Sequence, residues 1–230
     1  MAKAVVLSGQ GRYEDQWHDY AGTSHVVAKA LAALGLEVAV HGLARDVLTG
    51  LDAVDLLVVN SGGGRVDADF DGDDAVWEPA RRGLAAHIAR GGPVLALHSA
   101  ALTFRDNPAW ARFVGAQWVD GASYHPPISK ARIQAVPAAH PIAAGLADFD
   151  TYDERYTALV IHRQPRPYLT HHHEGRSHPL AWADEVAQPG GAVSRMVYNA
   201  LGHGVESYGA DRLRLLEREA RWALGWPLGS

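Results

Sequence analysis

His98 follows an apolar run at residues 93–97 and is itself followed by Ser99 and Ala100. A strand that ends in a tight turn and opens a helix lifts one side chain into a cleft, beside helix N-terminal amides. An imidazole in that place can be a general base, a ligand or an orienting donor. It can equally be a buried histidine bonded to backbone. Ser99 lacks the small-x-Ser-x-Gly setting of an elbow nucleophile. His18-Asp19 occupies the loop after the first strand, and three further groups pair a titratable side chain with residues that fix backbone direction. These are His125-Pro126, Asp153-Glu154-Arg155-Tyr156 and Gly202-His203-Gly204. A carboxylate beside several imidazoles can be a base with a raised pKa, or part of an oxygen–nitrogen metal site. The plainer alternatives are a salt bridge from Glu154 to Arg155 and a simple turn at His203. No His-x-x-x-His or His-Glu-x-x-His spacing falls on a predicted helix, so a divalent metal is suggested only, with His98, His125, Glu154 and His203 as candidate ligands.

Other motifs exclude more than they assign. Gly9-x-Gly11 lacks the third glycine of a dinucleotide fingerprint, and Gly62-Gly63-Gly64 has no following Lys-Ser or Lys-Thr, so no nucleotide cofactor is expected. Both loops read as flexible rims or plain turns. His140-Pro141 and His178-Pro179 look structural, each placing a histidine at the entry to an apolar segment. His171, His172 and His173 read as a solvated loop. Trp17, Trp110 and Trp118 can stack on a sugar face where they stand beside the rim, core packing being the commoner fate of Trp.

The elements that must position these residues begin as alternating strand and helix. Strands are expected at residues 4–7, 36–40, 56–59 and 93–97. The spacing of Val26, Val27, Ala30, Leu31 and Leu34 predicts a helix ending at Gly35, and a second helix is expected over 76–88. That rhythm points to an α/β fold with a doubly wound, mostly parallel sheet. Ligands of such sheets bind beyond the carboxyl ends of the strands, here residues 9–20, 60–65 and 98–104. From residue 118 to 164 long amphipathic helices are missing and short extended pieces alternate with Pro, His and aromatic residues. A strand returns at 192–198, and a helix over 212–224 closes the chain.

Composition bounds the class. The 230 residues are 47% hydrophobic and 20% charged with a formal charge of −5, so no basic field invites nucleic acid or an acidic membrane. The absence of cysteine removes disulfides, thiolate nucleophiles and Cys-type zinc sites together. No apolar run spans a bilayer and the N-terminus enters a strand pattern directly, so a cytoplasmic protein is expected.

These residues together resemble the trehalose-utilisation, or ThuA-like, family, whose fold is that of class I glutamine amidotransferases. The likeness is carried in order by His18-Asp19, Leu97-His98-Ser99-Ala100, Phe113-Val114-Gly115, His125-Pro126 and His140-Pro141-Ile142. Asp153-Glu154-Arg155-Tyr156, Pro179-Leu180-Ala181-Trp182, Arg195-Met196-Val197-Tyr198, Leu201-Gly202-His203 and Trp222-Ala223-Leu224-Gly225 complete it. It covers most of residues 1–230, read as a single ThuA-like domain with a flavodoxin-like sheet and an irregular, strand-rich second half. The resemblance implies that His98 stands where an amidotransferase carries its catalytic cysteine, so thiolate hydrolysis of glutamine is not inherited. It also implies sugar catabolism: an enzyme acting on a 3-keto-glycoside or related sugar derivative by His/Glu acid–base chemistry, metal-assisted or not. The alternative is a non-catalytic sugar- or metabolite-binding module using the same cleft. In the enzyme reading His98, Glu154 and His203 are catalytic, and His18, Trp110, His125 and Tyr156 contact a small-molecule carbohydrate. Aromatic residues of the second half are compatible with a homodimer.

Overall fold

The computed structural model describes residues 1–228. Four strands, β1 (Lys3–Ser8), β2 (Glu37–Gly42), β3 (Leu56–Asn60) and β4 (Val94–Leu97), pair in parallel in the order β2-β1-β3-β4. β3 and β4 are buried at every position, as unbroken aliphatic runs must be when helices cover both faces. The helices are α1 (Tyr20–Ala33), α2 (Arg45–Thr49), α3 (Ala68–Asp71), α4 (Glu78–Ala89), α5 (Pro108–Val114) and α6 (Ala210–Ala223). α1 and α6 pack on each other, while α4 packs on α2. Asp19 is the N-cap of α1, its carboxylate accepting from the Gly22 N–H at 2.8 Å, and Gly35 closes the helix in the left-handed region.

The second half extends the same sheet. β5 (Ala116–Gln117) and β8 (Val160–Ile161) form a separate ribbon. β6 (Ser129–Ala135), β7 (Phe149–Asp153), β9 (Leu169–His173), β10 (Arg176–Ala187) and β11 (Val193–Asn199) join the main sheet. β11 lies parallel to β4, and the order then continues β10-β9-β6-β7 with every pair antiparallel. The count of reversals matters for the site. Four antiparallel steps from β11 return β7 to the direction of the parallel strands, so the residues after β7 arrive at the rim where β1, β3, β4 and β11 end. β6 runs the opposite way, so the segment preceding it starts from that rim too.

Two local expectations are corrected, at the three histidines and at the glycine run after β3. His171 to His173 do not form a solvated loop: they are part of β9, and His171 is buried because it faces its cross-strand partner His178 inside the sheet. Pro179 interrupts β10 without ending it, since the register shifts between Pro179 and Ala181 and a bulge needs no donor there. The Gly62-Gly63-Gly64 run is a clamped junction, not a flexible rim. The Gly62 and Gly64 N–H groups donate to Tyr13 and Arg12 carbonyls, and a Cβ at Gly64 would collide with the Glu14 carbonyl oxygen. No helix among the described residues is long and apolar enough to cross a membrane.

Candidate active site

His98 sits at the step from β4 into a 3-10 turn, His98–Ala101, with φ +43°. A non-glycine residue in that region is strained, and its surroundings must hold it. The His98 Nδ1 lies 2.6 Å from the Ala200 carbonyl oxygen, and the Tyr198 hydroxyl donates to the His98 carbonyl at 2.9 Å. A carbonyl only accepts, so Nδ1 carries the proton and Nε2 of the neutral ring presents a lone pair. Burial holds the ring neutral, lowering its pKa to about 4. Ser99 is not poised as a nucleophile, because its hydroxyl donates to the Ser61 carbonyl inside the core.

His18 reaches the same point from the loop after β1. Its Nδ1 lies 2.7 Å from Asp15 Oδ1, so it donates there and turns the Nε2 lone pair inward. The two Nε2 atoms, of His18 and His98, stand 3.1 Å apart. Two lone pairs at that separation repel unless a proton or a cation lies between them. Glu154, the first residue past β7, places Oε2 3.5 Å from His98 Nε2, 3.9 Å from His18 Nε2 and 3.3 Å from His203 Nδ1. Burial pushes Glu154 up, but the facing His203 outweighs it and holds the carboxylate well below its usual range. The Glu154 hydrogen bond raises the pKa of His203.

His203 is positioned by its neighbour in the chain of contacts, Asp153. This buried carboxylate accepts the backbone N–H groups of Gly202 and His203 at 2.8 and 3.1 Å. Burial raises its pKa to about 7 although those bonds act in the other direction. Adjacent residues of one strand end thus serve two purposes: Asp153 fixes the loop after β11, and Glu154 faces the histidines that loop presents.

One donor atom from each of His18, His98, Glu154 and His203 lies within 4.8 Å of all the others. Donors about 2.1 Å from a tetrahedral Zn²⁺ would be roughly 3.4 Å apart, close to the three shortest separations here. Three imidazoles and a carboxylate are also a chemically suitable set for a divalent first-row metal. His18 and His98 each donate the other ring N–H, to a carboxylate and a carbonyl, as metal-ligating histidines do. The residues present fit such an ion.

The remaining expected residues divide. Tyr156 is buried against the ring of His98, with centroids 4.4 Å apart, and lines the cavity above it. His125 faces the other carboxylate oxygen, its Nε2 3.4 Å from Glu154 Oε1, so it borders the group of four without completing it. Trp110 is not brought to the site. Its indole packs in the core against Phe104 and Phe113 and donates to the Ala100 carbonyl, because α5 turns its apolar side inward. Asp15 and Tyr20 were missed. The Tyr20 hydroxyl donates to Asp15 Oδ2 at 2.8 Å and contacts Ser99 Oγ at 3.1 Å, which locks the carboxylate that orients His18. The only sequence signal was an Asp three residues before His18. The cavity over the group has a volume of about 700 Å³, and Asp15, Trp17, Arg105, Trp118 and Asp120 also line it.

The family model described as ThuA, trehalose utilisation, matches residues 3–223. The chain belongs to the ThuA family. Membership gives it a role in sugar metabolism. A ThuA-like protein from Parabacteroides merdae superposes on this member with TM-score 0.79 at 17% identity, covering 100% of this chain and 92% of that one. A second, from Bacteroides uniformis, gives 0.71 at 16% identity, over 96% of this chain and 91% of that one. PurLQS from Thermotoga maritima gives 0.56 at 12% identity, over 96% and 98%. At these identities the likeness is one of fold, and the α/β architecture with a doubly wound, mostly parallel half expected from the sequence is the one observed. No curated protein matches the chain.

Proposed function

We propose that this ThuA-family chain is a metal-assisted enzyme that enolises a 3-keto-glycoside or a closely related keto sugar, with release of the C1 substituent. The observation that carries this reading is the pair of inward-facing Nε2 lone pairs of His18 and His98, 3.1 Å apart beside the Glu154 carboxylate at the cavity floor. His18, His98, Glu154 and His203 would hold a divalent cation, which would supply Lewis-acid stabilisation of negative charge on a substrate oxygen.

The chain's own residues do the rest. A ketone at C3 makes the C2 proton acidic. His125 Nε2, at the cavity wall and beside Glu154 Oε1, takes that proton. The C2–H electron pair becomes the C2=C3 double bond and O3 gains the negative charge. When the pair returns, the C1–O bond breaks, the leaving oxygen takes a proton, and a C1=C2 enone remains. Water added at C1, with a proton returned to C2, completes a net hydrolysis. Tyr156 walls the cavity with a phenol that burial keeps protonated, and Asp15 and Asp153 hold His18 and His203 in place.

The test is solvent exchange. Metal-loaded protein incubated in D₂O with a methyl 3-keto-glucoside should incorporate deuterium at C2, followed by NMR, and release methanol. Glu154→Gln should slow both by at least about 100-fold, the scale of a lost acid–base or ligand group. Full activity in folded Glu154→Gln and His203→Ala, or no exchange by the loaded parent, overturns the proposal.

A further inference from the structure

α6 turns one stripe inward, at Arg212, Leu215, Leu216, Glu219, Ala220 and Ala223, and packs on β4 and β11. Two residues of that stripe are charged and almost wholly buried, Arg212 at 1% and Glu219 at 0% exposed. Charged side chains are seldom buried so completely unless paired. These are paired, Arg212 Nη1 donating to Glu219 Oε2 at 3.0 Å. A buried ion pair gives little net stability over apolar residues of the same size. What sets this one apart is the work of its second carboxylate oxygen.

Glu219 Oε1 accepts from the Tyr168 hydroxyl at 2.8 Å and from Asn199 Nδ2 at 2.6 Å. Asn199 is the last residue of β11 and is 0% exposed. A carboxylate only accepts, so the amide must turn its nitrogen to Glu219 and its oxygen the other way. That oxygen accepts the Leu201 N–H at 3.0 Å. The peptide so gripped, between Ala200 and Leu201, is the one whose carbonyl oxygen meets His98 Nδ1 at 2.6 Å. The C=O and N–H of a trans peptide are fixed in one plane and point opposite ways. Holding the N–H therefore aims the carbonyl.

The strap continues through Gly202 to His203, and α6 braces it there as well. Gly202 has φ +136°, and a Cβ on it would come within 2.7 Å of the Tyr208 hydroxyl. The Arg212 guanidinium lies over the Tyr208 ring, 5.4 Å from its centroid. None of Glu219, Asn199, Arg212 or Tyr168 lines the cavity.

We propose that Glu219 is a positioning residue for the active site: through Asn199 it locks the Ala200–Leu201 peptide, which aims the Ala200 carbonyl at His98 Nδ1 and so keeps the His98 Nε2 lone pair on the cavity floor. This rests on the proposed ion site only for a metal-affinity readout; the aim of the imidazole is independent of any metal or reaction.

The experiment compares variants that cut different bonds to the same carboxylate oxygen. Asn199→Ala removes the link to the strap. Tyr168→Phe removes the other donor to Glu219 Oε1 and leaves the strap untouched. In metal-free protein, proton NMR follows solvent exchange of the His98 Nδ1–H, identified by its absence in His98→Gln. Exchange should quicken about five-fold or more in Asn199→Ala, the scale of one lost buried hydrogen bond, and stay within about two-fold of the parent in Tyr168→Phe. Zn²⁺ affinity, from competition with a chelator, should weaken in the same pattern. A merely structural role would move both variants alike, since each loses a buried hydrogen bond. Should circular dichroism show Asn199→Ala unfolded, a second pair carries the test: Arg212→Met with Glu219→Gln against Arg212→Met with Glu219→Leu. Each removes both buried charges together, so no ion is left unpaired, and only the glutamine keeps an acceptor for Asn199. The glutamine pair should exchange as the parent does, and the leucine pair about five-fold faster or more. A smaller acceleration in the variant lacking the link, or one as large in its control, overturns the positioning role. No Zn²⁺ binding by the parent with the exchange contrast intact removes the ion site and leaves Glu219 its role; Zn²⁺ binding without the contrast does the reverse.

Discussion

Asp15→Asn isolates the charge that orients His18 from the shape that holds it. Asp15 Oδ1 accepts His18 Nδ1–H at 2.7 Å and the N–H groups of Trp17 and His18 at 3.0 and 3.2 Å, while Oδ2 accepts the Tyr20 hydroxyl at 2.8 Å. Burial pushes this carboxyl up, but the bonds from His18, Tyr20 and the Trp17 backbone prevail and its pKa is lowered. Asparagine has the same shape, and its carbonyl oxygen can keep all three N–H bonds made to Oδ1. The amide nitrogen then faces Tyr20, whose hydroxyl can accept from it and donate to Ser99 Oγ instead. The packing survives, and the negative charge behind the imidazole is lost.

Removing such an outer partner lowers metal affinity by about 10- to 100-fold, which at roughly 1.4 kcal/mol per decade corresponds to about 1.4–2.7 kcal/mol. The assay is a competition titration of Zn²⁺ between metal-free protein and a chromophoric chelator at pH 7.5, on the parent, Asp15→Asn and Glu154→Gln. Asp15→Asn should fall in that range with an unchanged circular dichroism spectrum, and Glu154→Gln should bind more weakly still. An Asp15→Asn affinity within two-fold of the parent refutes the orienting role. A Glu154→Gln affinity equal to the parent's refutes the ion site itself.

Two further outcomes follow from burial. His98 and His171 are both held neutral in the fold, each lowered to about 4, first by desolvation, whereas an unfolded histidine takes its proton near 6.5. Between pH 6.5 and 4 the unfolded chain therefore binds more protons, and the stability of the chelated protein falls as pH falls. His203, raised by Glu154, acts in the opposite sense, binding its proton in the fold before the unfolded histidine does near 6.5, so it opposes the loss only at the upper end of that range. Two such groups amount to a loss of about 3–4 kcal/mol between pH 7 and 5, of which buried Asp153, raised to about 7 and so protonated in the fold over the same interval, returns about 2 kcal/mol. The net loss of about 1–2 kcal/mol is a drop in Tm of about 5 °C, and a Tm that rises from pH 7 to 5 in calorimetry would contradict it. Trp110→Ala, which empties a core position beneath α5, should lower stability by about 3–5 kcal/mol and leave Zn²⁺ affinity unchanged, as urea titration and the same competition assay would report; a loss under 1 kcal/mol would mean that the indole is not packed as described.

The parallel half of the sheet was legible because its signals are local. Leu56 to Val59 are apolar without interruption, as a strand covered on both faces requires, and Gly35 ends α1 where a positive φ is needed. The antiparallel half hides its strands. His178-Pro179 reads only as the entry to an apolar segment until the register shift that seats it inside β10 is seen, and a run of three histidines reads as a polar loop until His171 is found facing His178. Neither fact is contained in the residues themselves, because both depend on which strand lies alongside.

The same division runs through the site. His98, Glu154 and His203 were legible because each sits at a chain reversal, where a titratable residue has no packing reason to be. That they meet depends on a parity the sequence does not display. With one antiparallel strand fewer after β11, β7 would end at the opposite edge of the sheet, carrying Glu154 about the length of a strand away from the imidazoles. Five residues of β7 at about 3.3 Å each make that distance roughly 17 Å, beyond the reach of any side chain. Trp110 fails by the opposite route: its apolar area outweighs its nearness in sequence to the rim, and α5 turns it inward. Asp15 escaped notice because its role is to another side chain, and only the closed loop from Tyr13 to Tyr20, pressed against the glycines after β3, brings the carboxylate behind His18.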